Sequence, residues 1–116
     1  MIDQSVALPI NRLTVAIVQE QDAEIAVNGL RQLGLNITRL PSAGGFLGQR
    51  SVALLVGFNQ SLEGDMLQTI RQSCRSRVEY VTLPVEGSPI PMPSPTPITV
   101  GGATLFSFDI ERFEEF

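Results

Sequence analysis

Histidine and tryptophan are absent from this chain of 116 residues, and cysteine occurs once, at Cys74. Without histidine the commonest general base is missing, and no catalytic triad built on it can form. One cysteine excludes a disulfide within the chain and fits a reducing compartment, so a cytoplasmic location is expected. No cysteine or histidine set has metal-ligand spacing, so neither a metal nor another cofactor is expected. No glycine-rich loop ends in Gly-Lys-Ser/Thr, which excludes a P-loop. Positive charge is also scarce, with eight basic residues against twelve acidic ones and a net charge of −4. Binding to a nucleic-acid polymer needs a basic stripe, and the densest basic group, Arg71, Arg75 and Arg77, does not make one. No apolar run approaches the length of a membrane span. The opening MIDQSVALPIN has an acid near its start and too short an apolar run for a signal peptide.

Hydrophobic residues make up 43% of the chain and charged ones only 17%, which is light for a surface that water alone must cover. Residues 1–12 read as a flexible N-terminal arm, with Pro9 breaking any strand, and 13–116 as one domain. Leu13 to Val18 is a short branched apolar run expected to form a buried strand. Asp22 is placed to cap a helix whose apolar face is Ala23, Ala26, Val27, Leu30 and Leu33, with Gly34 as its stop. Asn36 to Leu40 predicts a second strand, and Pro41 to Gly45 has turn chemistry. Val52 to Phe58 is the strongest strand, apolar on both faces. Ser61 is placed to cap a second helix with the stripe Leu62, Met66, Leu67, Ile70 and Cys74. Val78 to Leu83 predicts a further strand. A Pro-rich loop at 84–97, with six prolines in fourteen residues, precedes a last strand, Ile98 to Phe108, interrupted at Gly101-Gly102. Asp109 is placed to cap a terminal turn presenting Ile110 and Phe113.

This order predicts an α+β fold, a ferredoxin-like βαββαβ antiparallel sheet with two helices on one face. Two helices leave the second face of the sheet bare. The economical cover is a symmetric homo-oligomer with sheet faces turned inward, and ligands would then sit in clefts between subunits.

The candidate chemistry is that of a binder rather than an enzyme. Cys74 falls on an apolar helix face and reads as a buried structural thiol. Glu20 and Asp22 sit where a helix start favours acids. Asp109, Glu111, Glu114 and Glu115 read as a solvated face. Gly101-Gly102 reads as a bulge or a close backbone approach. Gly44-Gly45-Phe46-Leu47 has two readings. As a bend it needs no ligand. As a grip, amides of Gly45 and Leu47 would meet a phosphate and the Phe46 ring would stack on a purine, with Arg39 and Arg50 supplying charge.

The segments AIVQEQD at 16–22, GGFL at 44–47, Gly57-Phe58-Asn59 and VGGATLFSFDIERFEEF at 100–116 together resemble the PII-like cyclic-di-AMP receptor family, within the PII signal-transduction superfamily. The resemblance runs from about Leu13 to Phe116. It implies a PII-like homotrimer that binds an adenine nucleotide, cyclic di-AMP foremost, at clefts between subunits. It also implies that the signal passes to a protein target, not identified by the sequence, through movement of the 84–97 loop. The alternative is a trimeric interaction module that has lost nucleotide binding. Carried onto this chain, the family's ligand positions are Thr38, Gly45, Phe46, Leu47, Gly57 and Phe106. At Gly34, Asn36, Gly48, Ser51 and Glu115 the chain departs from the Asn, Arg, Arg, Asn and Gln that members commonly carry. Asn36 and Ser51 remain candidate contacts, as do Arg39 and Arg50 beside the turn.

Overall fold

The computed structural model describes residues 8–46, 49–82 and 95–116, by backbone alone at 42–46, 49, 81 and 82. Its elements run β1 (Arg12–Gln19), α1 (Glu20–Gln32), β2 (Asn36–Phe46), β3 (Gln49–Phe58), a 3-10 turn (Gln60–Leu62), α2 (Glu63–Ser73), β4 (Arg77–Thr82), β5 (Pro95–Val100) and β6 (Ala103–Asp109). A four-stranded antiparallel sheet has the order β2-β3-β1-β6, and β4 and β5 form a separate two-stranded ribbon. The expected antiparallel sheet with two helices on one face is thus present. Its fourth place is taken by β6 rather than by the strand that follows α2.

Alternation in β1 and β3 sorts the two faces. Ala16, Val18, Val52, Leu54, Val56 and Phe58 point to the helices and are buried, together with Ala23, Ala26, Val27 and Leu30 of α1 and Met66 and Ile70 of α2. The helices meet closely at Gly29, where an added Cβ would lie 2.7 Å from the Thr69 methyl group. Gly34 ends the α1 region in the left-handed conformation, φ +79°, as its place in the sequence predicts.

Several expected boundaries move. Asp22 is not the N-cap of α1. The helix starts behind Gln19, which has extended backbone, φ −73° and ψ 144°, and whose side-chain oxygen accepts from Gly101 N at 2.8 Å. Ser61 does not cap the second helix; Asn59 Oδ1 accepts from Ser61 N at 3.0 Å and starts the 3-10 turn instead. Pro41 to Gly45 is not a simple turn, because β2 continues to Phe46 with a register shift between Pro41 and Gly45. Pro41 is tolerated because β2 is an edge strand with one side free of ladder bonds. Pro95 to Pro97 belong to β5 rather than to the long loop. The rest of that loop, 84–94, lies outside the described residues. Asp109 caps no turn. It ends β6 opposite Arg12, with its carboxylate 3.0 Å from the Arg12 guanidinium, and residues 110–116, Ile110 and Phe113 included, form no helix.

The described part of the arm lies on the end of the sheet. Asn59 Nδ2 donates to Pro9 O at 2.7 Å, Asn11 N donates to Phe58 O at 3.1 Å, and Gln60 N donates to Asn11 Oδ1 at 2.9 Å.

Candidate functional site

The second face of the sheet carries most of the candidate residues. Register places Thr38, Leu55, Val15 and Phe106 in one cross-strand row, and Asn36, Gly57, Leu13 and Phe108 in the next. Leu40, Ala53, Ile17 and Thr104 make a third row, and Ser51 lies beyond it on the same face. Among the described residues no helix covers these rows. Phe106 is 53% exposed, Phe108 52% and Leu40 45%, a broad apolar strip on an otherwise folded chain.

Within one chain the candidates form three separate groups. Asn36, Thr38 and Gly57 share one end of β2 and β3. Gly45 pairs with Arg50 and Phe46 pairs with Gln49 at the hairpin end, roughly 24 Å further along β3 from Gly57 at strand rise. Phe106 lies on β6, the opposite edge from β2, about 14 Å away across three strand spacings. Arg39 pairs with Leu54, so it belongs to the helix-side face at the sheet edge and does not join Thr38. Leu47 and Gly48 lie outside the described residues.

Two cavities touch candidate residues. One of about 470 Å³ is lined by Leu8, Ile10, Gly34, Asn36, Gly57 and Asn59, among others. A second, of about 380 Å³, has Gln19, Ser51, Gly101, Gly102 and Thr104 in its wall. Here two of the segments that carry the family resemblance meet, since Gly101 N donates to Gln19 Oε1.

The Gly101-Gly102 pair is the close backbone approach that its sequence suggests. Both residues have positive φ, +86° and +85°, and an added Cβ at Gly101 would lie 2.1 Å from Arg75 O. The pair turns the chain from the ribbon into the sheet, and the Gly102 amide donates to Cys74 O. Beside it, Arg77 grips the buried Asp22 carboxylate at 3.0 Å and also reaches Glu79 at 3.3 Å. The hydrogen bond it donates to Asp22 holds the Arg77 guanidinium above its ordinary pKa, against the opposing effect of desolvation. This contact ties the base of the ribbon to the start of α1. Nothing local in the sequence signals it, because the partners are 55 residues apart.

The Cys74 thiol is 3% exposed, and its pKa is pushed up to about 11 by burial, then by the Asp22 charge, with Arg77 opposing. A thiol so held is a packing group, not a nucleophile. Among the described residues no cluster of His, Cys, Asp or Glu could hold a metal ion. No helix among them is long and apolar enough to cross a membrane.

The cyclic-di-AMP receptor family model matches residues 11–116. The chain belongs to that family. Its members are PII-like signalling receptors that bind the nucleotide as a ligand rather than as a cofactor. The fold is also similar to the crystal structure of a functionally unknown protein from Pediococcus pentosaceus, with TM-score 0.72 and 27% identity over 92% of this chain and 98% of that one. The family match starts at residue 11. It therefore leaves out Leu8 and Ile10, which line the larger cavity and whose sequence reads only as an arm.

Proposed function

We propose that this receptor binds an adenine nucleotide, cyclic di-AMP foremost, in clefts between the subunits of a homotrimer, and relays binding to a protein target through the 84–97 loop. The observation that carries the cleft is the separation of Thr38 from Phe106. They occupy one row and one face, yet lie at opposite edges of the sheet. In the proposed arrangement the ligand meets both edges by lying between two chains, with β2 of one beside β6 of the next. Head-to-tail packing of this kind closes into a ring and covers the bare apolar rows.

In this arrangement Gly45 and Leu47 offer amides to phosphate, Phe46 stacks on one purine, and Asn36, Thr38 and Ser51 supply polar contacts beside Gly57. Arg50 pairs with Gly45 at the same hairpin end and brings positive charge. Arg39 is on the helix-side face and serves only through the edge of β2. The ribbon β4–β5 leads directly into the 84–94 segment, and its base is fixed by Asp22, Arg77 and Gly101. Contacts at the Ser51 and Gly101-Gly102 cavity thus have a short physical route to the loop.

The test is a parallel titration of the full chain with cyclic di-AMP, cyclic di-GMP, cyclic AMP, ATP and ADP, with Phe46→Ala alongside. Cyclic di-AMP is expected to bind most tightly and Phe46→Ala to lose about tenfold or more, in keeping with base–aromatic stacking of roughly 1–3 kcal/mol. Absence of any binding tighter than about 1 mM would remove the nucleotide function and leave the interaction module.

A further inference from the structure

We propose that the N-terminal arm is part of the ligand site: Ile10 forms an apolar wall over Gly57 and selects the flat base that occupies the cavity beside Asn36. This rests on the nucleotide-binding function proposed above, and adds to it residues outside the family match, which begins at residue 11.

Ile10 is held from both sides. Before it, Pro9 O accepts from Asn59 Nδ2 at 2.7 Å. After it, Asn11 donates its amide to Phe58 O at 3.1 Å, accepts Gln60 N on its side chain at 2.9 Å and accepts Ile110 N on its carbonyl at 3.0 Å. A side chain latched on both flanks is preorganised and loses little freedom when a ligand arrives.

Gly57 gives Ile10 its place. A Cβ at Gly57 would lie 3.3 Å from the Ile10 Cγ2 methyl, so a larger residue there would require the Ile10 side chain to give way by a few tenths of an ångström. The cavity these residues border is about 470 Å³, within the range of about 300–1,000 Å³ usual for small-molecule sites. Its walls are mainly apolar, from Leu8, Ile10, Leu33, Leu35 and Leu62. The Asn36 amide stands at its rim and makes no hydrogen bond to another described residue, so its donors and its acceptor are available to a base edge. At Gly34 an added Cβ would meet nothing within 4 Å, which leaves that side open as an entrance. An apolar slot with one amide at its edge suits a purine better than a phosphate.

The experiment is calorimetric titration of cyclic di-AMP into the full chain, wild type against Ile10→Ala, Ile10→Val and Phe46→Ala, with the melting temperature of each unliganded protein measured in parallel. Ile10→Ala is expected to raise Kd by about fivefold or more and Ile10→Val by less, following the apolar contact removed. Their unliganded melting temperatures should fall too little to account for that loss, and Ile10→Val keeps the test open should Ile10→Ala fold poorly. If wild type binds and Phe46→Ala weakens it, but both Ile10 variants match wild type within twofold, the arm has no part in the site and the proposal is overturned. If wild type binds no nucleotide, the nucleotide function falls and the arm's role falls with it.

Discussion

Three glycines with positive φ show how differently the same residue type can be required. At Gly101 the backbone is left-handed and Arg75 O sits where a Cβ would be, while at Gly102 and Gly34 nothing lies within 4 Å. The left-handed conformation alone costs a residue with a Cβ about 1–2 kcal/mol. Gly102→Ala and Gly34→Ala should therefore each lose about that much stability in urea unfolding. Gly101→Ala adds a backbone clash, for which overpacking costs suggest about 1–3 kcal/mol more. Equal losses at Gly101 and Gly102 would show that the close approach to Arg75 is unimportant. Cys74 gives a second prediction at this scale. Its folded pKa is raised from 9.0 to about 11, so the folded state holds the proton more tightly than the unfolded one. The stabilisation is fully present below pH 9 and is lost as pH rises from about 9 to 11, and a Cys74→Ala variant should lack that part of the alkaline fall. The glycine pair was legible in the sequence because only glycine is at ease there. Asp22 was visible as an acid at a helix start, but its partner Arg77 was not, since only the tertiary fold brings the two together.

Among the elements, those with a clear period could be read and those set by edges and caps could not. Ala23, Ala26, Val27 and Leu30 recur at helical spacing and are buried on α1; Met66 and Ile70 do the same for α2, continued by Cys74 at its C-cap. The strand through Val52 to Phe58 announced itself as an apolar run. β2 did not, because Pro41 and two glycines look like a turn unless the strand is known to lie at an edge. The start of the second helix was misplaced for a related reason. Asn59 and Ser61 are both good caps by residue type, and only the hydrogen bond from Ser61 N to Asn59 Oδ1 decides between them. Asn59 also donates to Pro9 O, so it holds the 3-10 turn and the arm together. Asn59→Ala should cost about 1–2 kcal/mol in thermal or urea unfolding, whereas Ser61→Ala should stay within about 0.5 kcal/mol. The reverse order would restore Ser61 as the cap.

For the whole molecule, the bare face of the sheet is the feature that one chain cannot explain. Its existence was legible from a strand apolar on both sides and from only two helices to cover it. How the candidate site divides was not, because pairing register alone decides which residues share a row. Leu55 is the most informative position, half-buried in the middle of that face between Thr38 and Val15. A carboxylate there would still reach water in a single chain, but a subunit contact would bury it without a partner, at a cost of several kcal/mol. Leu55→Asp should therefore keep its circular dichroism spectrum yet elute as a monomer in light scattering, where the wild type is expected at the mass of three chains. With its clefts gone, the variant should lose at least about tenfold in nucleotide affinity even though Phe46, Thr38 and Ile10 are intact. A monomeric Leu55→Asp that binds as tightly as wild type would place the ligand within one chain. It would also break the link between the two edges of the sheet and the site.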